Sequence, residues 1–243
     1  MQRHYTAPRV VAALSGSFTD SDAAELAARF SAMPKAKPRR PGRSAYRPCL
    51  TLRRKATEQN QLVLGFPGLE TSSPDRFAMQ LLSGILGGNA SSRLFQTLRE
   101  KHGLCYSVYS FTAGFEDTGL FAVAAATNRE TEERALAVVM DELRRLLDEG
   151  VTEDELSRAR EQVKATILMS LESTGSRMNR LGYGELFLGG CLSPDELIER
   201  YDAVDREGLL KLARRTLGPA AMSFSAVGRV AEEDKYRALL GMN

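Results

Sequence analysis

The sequence predicts an α+β fold, an antiparallel or mixed sheet with helices packed on one face. Three observations carry that expectation. Strand-like runs cluster early and return once near the end, helix-period runs fill the middle, and the signals that start and stop the helices are explicit. A strand, a glycine and an acidic helix start also occur twice, first from "VVAALSGSF" into "TDSDAAEL" and again from "MSFSAVGRV" into "AEEDKYRALL". The two pieces read as the same terminal unit of a duplicated domain.

Taken in chain order, "PRVVAALSGSF" reads as a buried strand. "DSDAAELAARFSAM" reads as a helix with Asp22 and Glu25 spaced like a capping box, ended by Pro34. One strand and one helix cannot close a core. The stretch "PKAKPRRPGRSAYRP" has many cations, repeated prolines and almost no apolar periodicity, which is linker composition. An exposed basic linker is preferred to a nucleic-acid patch there, because like-charged runs are usually solvated. The resulting domain boundaries are 1–34 as a strand-helix remnant, 35–55 as linker and 56–243 as a complete half domain.

Within that half domain "NQLVLGF" is a strand, and Ser73 with Pro74 opens a helix whose apolar stripe is "RFAMQLLSGIL". A second helix comes next, with Leu94, Phe95 and Leu98 facing inward. Past Gly103, "YSVYSFTAGF" and "GLFAVAAAT" flank "EDTG", a hairpin loop of the Asp/Gly type. Leu136, Val139, Met140, Leu143 and Leu147 then recur at helical spacing up to a stop at Gly150. Thr152 with Glu155, and Ser193 with Glu196 beside Pro194, form two capping boxes. "SRMNRLGYGELFLGG" is helical but interrupted by glycine, a helix ends at "LGP", "AAMSFSAVG" is the last strand, and residues 231–240 form a last helix.

Composition bounds the function. With 43% hydrophobic and 26% charged residues, the 243-residue chain is an ordinary globular sequence, long enough for one or two cores. A net charge of +2 gives no chain-wide field toward nucleic acid or anionic membrane, so neither is expected as a partner. Cys49, Cys105 and Cys191 are odd in number and far apart, which argues against a disulfide framework or a cysteine zinc site. No apolar run approaches the roughly 20 residues of a membrane helix, and "MQRHYTAPRV" lacks the apolar core of a signal peptide. A cytoplasmic location is therefore expected, with a periplasmic or secreted one if an N-terminal portion is missing.

Catalytic signatures are mostly missing. A zinc peptidase helix needs two histidines one turn apart and a carboxylate, and the chain has only His4 and His102. His102 with Cys105 is too small a ligand set for a metal. G-x-S-x-G, the phosphate loop and G-x-G-x-x-G are all absent, and Glu100 and Glu161 read as solvated face charges.

One stretch does carry chemistry. "LLSGILGGNASSRLFQTLREKHGLCYSVYSF" resembles the second-half signature of the pitrilysin/insulinase family of inverted-motif zinc peptidases, which includes mitochondrial processing peptidase and short bacterial processing-type proteases. The features fall in order: Gly87-Gly88, Ser91-Ser92-Arg93-Leu94-Phe95, Leu98-Arg99-Glu100, Gly103-Leu104, and Tyr106 with Ser107. Residues 1–34 are similar to the end of that family's catalytic half and residues 56–230 to its second half. The resemblance implies one half of a duplicated metallopeptidase fold in which the first half holds zinc through H-x-x-E-H and a downstream glutamate. This chain is then the half that helps to hold the peptide.

The resemblance further implies that Arg99 and Tyr106 are this half's contribution to the active site, Arg99 for substrate binding and Tyr106 both for binding and as a donor to the scissile carbonyl. Amide hydrolysis builds negative charge on that oxygen, and a well-placed donor is worth up to about 3 or 4 kcal/mol. A guanidinium offers forked donors to carbonyls or a carboxylate. The competing reading has Arg99 paired with a nearby acid and Tyr106 as a half-buried strand aromatic. No cofactor is expected in this chain, zinc is expected in the missing or partner half, and the chain alone is expected to be inactive. Expected partners are a peptide substrate, a zinc-bearing half on the same or another chain, and a second copy in a homo-oligomer. The alternative function is a non-catalytic structural or assembly subunit of the same fold.

Overall fold

A computed structural model of the chain describes residues 5–35, 42 and 44–242. Two compact units make it up, Met1–Arg43 with Gln162–Glu199, and Ser44–Glu161 with Arg200–Asn243.

The larger unit is built on a five-stranded sheet in the order β1-β5-β2-β4-β3. Its strands are β1 (Leu50–Arg54), β2 (Asn60–Pro67), β3 (Cys105–Gly114), β4 (Gly119–Thr127) and β5 (Ser223–Gly228). β1 runs parallel to β5 and the other pairs are antiparallel, so the sheet is mixed, as expected. Alternation sorts the side chains. Leu62, Leu64 and Phe66 of β2 are buried while Gln61 is exposed, and Phe224 and Ala226 of β5 are buried while Ser225 is exposed. Register aligns these inward residues, with Leu64 opposite Val123 on one side and Phe224 on the other. Each fully buried Leu or Phe contributes about 1.5–3 kcal/mol.

Helices α2 (Arg76–Gly87), α3 (Glu132–Glu149), α7 (Arg206–Thr216) and α8 (Glu233–Leu240) supply the opposing apolar layer. Phe77, Leu81 and Leu82 of α2, and Leu136, Val139 and Leu143 of α3, are all buried. α3 stops where Gly150, with φ at +74°, closes it, as its position in the sequence predicts. The β3–β4 hairpin closes over residues 115–118. Where β4 begins, a side chain on Gly119 would start 2.1 Å from the Leu69 carbonyl oxygen, so only glycine lets the 68–69 segment lie against it.

A polar lock joins distant parts of this unit. Glu132 at the head of α3 is buried, and its two carboxylate oxygens accept hydrogen bonds from Asn60 Nδ2 of β2 and from the Tyr236 hydroxyl of α8. Asn60 Oδ1 accepts from the Arg229 backbone N–H at 2.6 Å. Burial and the Glu132 carboxylate hold the Tyr236 phenol well above its usual range. A fully satisfied network of this kind costs little and pins the packing.

Three local readings change. Residues 10–18 come after a short 3₁₀ turn, Ala7–Arg9, and belong to no strand, and none of them is buried. An apolar extended segment becomes a strand only beside another strand, and none pairs with it among the described residues. The capping box of α1 (Asp20–Ser31) is Thr19 with Asp22 rather than Asp22 with Glu25. Thr19 donates its N–H and hydroxyl to Asp22 at 2.8 and 2.7 Å, which draws the Asp22 carboxyl below its ordinary value. Ser73 caps a turn ahead of α2, accepting from the Asp75 N–H at 3.3 Å, and the helix itself starts at Arg76.

The edge strand β1 comes from the end of the 35–55 stretch that composition reads as linker. Residues 36–41 and 43 of that stretch, like His4, lie outside the described residues.

The smaller unit holds α1, the end of α4 (Glu153–Ser170), α5 (Thr174–Leu188) and the beginning of α6 (Pro194–Asp202). The capping boxes Thr152/Glu155 and Ser193/Glu196 form as spaced. α5 ends at Gly189 in the left-handed region, and Gly190 donates back to the Gly184 carbonyl at 3.2 Å. No helix among the described residues is long and apolar enough to cross a membrane.

Candidate functional site

The site is a helix, a glycine corner and a strand. After α2 the chain forms a π-helical segment, Phe95–Lys101, anchored by the fully buried Leu94 and Leu98. Segments of this wider helix are rare and are frequent at functional sites. Gly103, at φ +60°, turns the chain, with its N–H donating to the Arg99 carbonyl at 3.1 Å and Leu104 N–H donating to the Leu98 carbonyl at 2.8 Å. Leu104 is buried, so the corner is nailed to the core on both sides.

β3 begins immediately and is irregular at its second residue. Cys105 pairs with Thr127 and Ser107 with Ala126, which leaves Tyr106 as the extra residue of a β-bulge. A bulge re-aims a side chain out of the regular pleat. Tyr106 is accordingly 71% exposed, too open for a half-buried strand aromatic.

Arg99 and Tyr106 meet across the corner. The Arg99 guanidinium carbon lies 5.0 Å from the Phe95 ring centroid and 5.9 Å from that of Tyr106. Such distances fit cation–π attraction, worth about 0.5–1 kcal/mol at an exposed site. Farther along β3, Tyr109 and Phe111 are exposed with ring centroids 5.9 Å apart. β3 is an edge strand, so this aromatic row borders an edge that carries no strand partner among the described residues.

Arg93 is a residue to which the sequence assigned no role. Its Nε and Nη2 donate to the two carboxylate oxygens of Glu155 at 2.6 and 2.7 Å, and Nη2 also donates to the Gly150 carbonyl at 2.8 Å. The side chains are only 13% and 18% exposed. Arg93 thereby ties the chain just ahead of the π-helical segment to the α3–α4 junction. Burial pushes the Glu155 carboxyl up, but the bonds from Arg93 and Thr152 outweigh it and bring it down to about 2. Only the Thr152/Glu155 spacing in this arrangement is visible in the sequence.

Burial raises the Cys105 thiol above its ordinary value, with the Arg99 charge acting in the other direction, so Cys105 is not poised as a thiolate nucleophile. Glu100 is exposed. Among the described residues no three His, Cys, Asp or Glu side chains gather where a metal could be held.

Comparison with known proteins identifies the family. The family described as "Peptidase M16 inactive domain" matches residues 1–163. An uncharacterized zinc protease of Streptomyces coelicolor is 40% identical over 92% of this chain and 46% of its own length. One of Bacillus subtilis is 36% identical over 88% of this chain and 53% of its own. The chain thus spans about half the length of these relatives.

Among solved structures, the peptidase M16 inactive domain from Pseudomonas fluorescens is 27% identical with a TM-score of 0.83, covering 93% of this chain and 55% of that one. A chain of complex III2 from Candida albicans, at 18% identity, 93% and 57% coverage and a TM-score of 0.76, shares the fold. The corner that carries Arg99 and Tyr106 thus sits in a chain that belongs to the M16 peptidase family, as its inactive, C-terminal, non-zinc half.

Proposed function

We propose that this chain is the substrate-binding half of a zinc-dependent endopeptidase, completed by a zinc-bearing half. The observation that carries the reading is the exposed Arg99–Tyr106 pair on a bulged edge strand, in a chain about half as long as relatives named zinc proteases. Arg99 makes no ion pair and the Tyr106 hydroxyl no hydrogen bond among the described residues, so both polar ends stand ready for a ligand. The competing reading, an Arg99 paired to an acid, finds no such pair among the described residues.

The roles follow from the side chains. The Tyr106 hydroxyl donates to the scissile carbonyl oxygen and gains strength as negative charge builds there. The Arg99 fork holds a peptide carbonyl or carboxylate, and its contact with the Phe95 ring holds the guanidinium in place. Tyr109 and Phe111 offer apolar contact to peptide side chains along β3. On this reading the zinc and its chemistry belong to the other half.

Residues 1–34 are assigned, on the same reading, to the closing strand and helix of the zinc-bearing half, with 35–55 as the connection and 56–243 as the second half. The unpaired extended run at 10–18 supports this, since it needs a sheet.

The test is reconstitution. This chain, the part of the Streptomyces coelicolor relative that it does not match, and the two joined in one polypeptide are assayed on a quenched-fluorescence peptide library. Cleavage by the joined protein and by neither part alone supports the reading. Equal cleavage by the unmatched part alone sends this chain to the alternative, a structural subunit.

A further inference from the structure

The smaller unit contains a cavity of about 450 Å³ between residues 14–18 and the first turns of α5. Leu14, Phe18, Leu171, Leu181 and Pro194 give it apolar walls. Arg177 and Arg180 are its charged lining. The two cations differ. Arg177 donates its Nε to the Leu171 carbonyl and is exposed. Arg180 has buried Nε and Nη1 atoms with no hydrogen-bond partner, and it forms no ion pair among the described residues.

Guanidinium N–H groups that lose water without gaining an acceptor are costly, so a half-buried Arg180 whose Nε and Nη1 are closed to solvent asks for an anion. The walls restrict which one. A strongly hydrated inorganic ion would surrender its water to leucine and phenylalanine and receive only two donors in return. A carboxylate on an apolar body loses less and fills the volume, which lies in the range of ordinary ligand cavities.

The surroundings decide between a small amphiphile and a protein segment. α5 also exposes Met178, Tyr183, Leu186 and Phe187, which a ligand confined to the cavity leaves bare. Exposed apolar clustering of this kind marks a protein-binding surface. The Streptomyces and Bacillus relatives, of which this chain matches 46% and 53%, contain about as much chain again to cover it.

We infer that this cavity is the socket into which the rest of the zinc-bearing half, the part beyond residues 1–34, seats an acidic side chain from an apolar segment, with Arg180 as its ion-pair partner. The inference rests on the proposed function in one respect, that such a half exists.

The experiment titrates this full chain with the separately produced part of the Streptomyces coelicolor relative that it does not match, by calorimetry. Arg180→Met should weaken binding at least tenfold, Arg180→Lys should weaken it less, and Arg144→Met, at an exposed pair on α3, should leave it unchanged. The lone chain supplies the second readout. Arg180→Met removes two enclosed N–H groups that have no acceptor, so its Tm without partner should equal or exceed that of wild type.

Equal affinity of wild type and Arg180→Met overturns the socket and leaves the proposed function standing. Failure of the wild-type chain to bind overturns both. A lone-chain Tm several degrees lower for Arg180→Met would show an internal partner and overturn the socket. Saturable dodecanoate binding, lost in Arg180→Met while partner titration is unaffected, would give the cavity to a small amphiphile instead and also overturn it.

Discussion

The two units bury their apolar side chains very differently. Every buried hydrophobic residue among the described residues lies in the sheet-containing unit, from Leu62 to Leu240. The smaller unit has none of them, and it carries most of the exposed large ones, including Phe18, Phe30, Leu168, Met169, Leu186 and Phe187. Both units contain helices capped to a similar standard, so local signals do not separate them. Tertiary burial does, and it places a rigid support behind Arg99 and Tyr106 while leaving the smaller unit with surface still to cover.

The contrast can be broken by mutation. Leu64→Ala, at the centre of the sheet with no exposed surface, should cost about 3–5 kcal/mol, while Leu181→Ala should cost under about 1 kcal/mol in the lone chain. Urea titration of both variants checks it. Comparable losses would mean that the smaller unit has a core of its own.

Arg93→Met sharpens the picture within the larger unit. It strands Glu155 beside Thr152 and should destabilise by about 2–3 kcal/mol, less than a fully buried pair would lose because both side chains keep some solvent. Hydrogen exchange should rise first at 94–104, the segment that Arg93 holds.

Acid probes the same pair. The Glu155 carboxyl is lowered from 4.5 to about 2 in the folded chain, so its contribution is complete above pH 4.5 and disappears as pH falls toward 2. After allowance for solvent screening this is about 1–2 kcal/mol. Wild type should lose that increment of stability between about pH 5 and 2.5, and Glu155→Gln should show a flatter profile. Identical profiles would mean that the pair adds nothing to stability.

The smallest effect belongs to the open surface. Leu186→Ser should change lone-chain stability by no more than about 0.5 kcal/mol and reduce self-association in sedimentation experiments.

Legibility in the sequence divides along the same line. β2, the β3–β4 hairpin, the Gly150 stop and the boxes at Thr152/Glu155 and Ser193/Glu196 depend on neighbours a few residues away, and short-range chemistry suffices to read them. Residues 10–18 carry a strand's composition, but strand formation needs a partner strand. β1, just past Pro48, exists because β5 offers it an edge. The Arg93–Glu155 pair spans 62 residues, and no spacing rule reaches that far. At the site, only family resemblance singles out Arg99 and Tyr106. The π-helical widening at Phe95–Lys101 and the bulge at Tyr106, which aim the two side chains, appear only once the sheet register is known.

Whether the bulged strand delivers a transition-state donor is tested most directly by Tyr106→Phe in the joined protein that contains a zinc-bearing half. The change removes one hydroxyl and keeps the ring that lies 5.9 Å from Arg99. The expected result is a fall in kcat of about 10²–10³ with Tm and zinc content unchanged, because the contact is made only as charge develops on the carbonyl. A Tyr106→Phe enzyme with the wild-type kcat would contradict the donor role and make Tyr106 an exposed aromatic with no part in the chemistry.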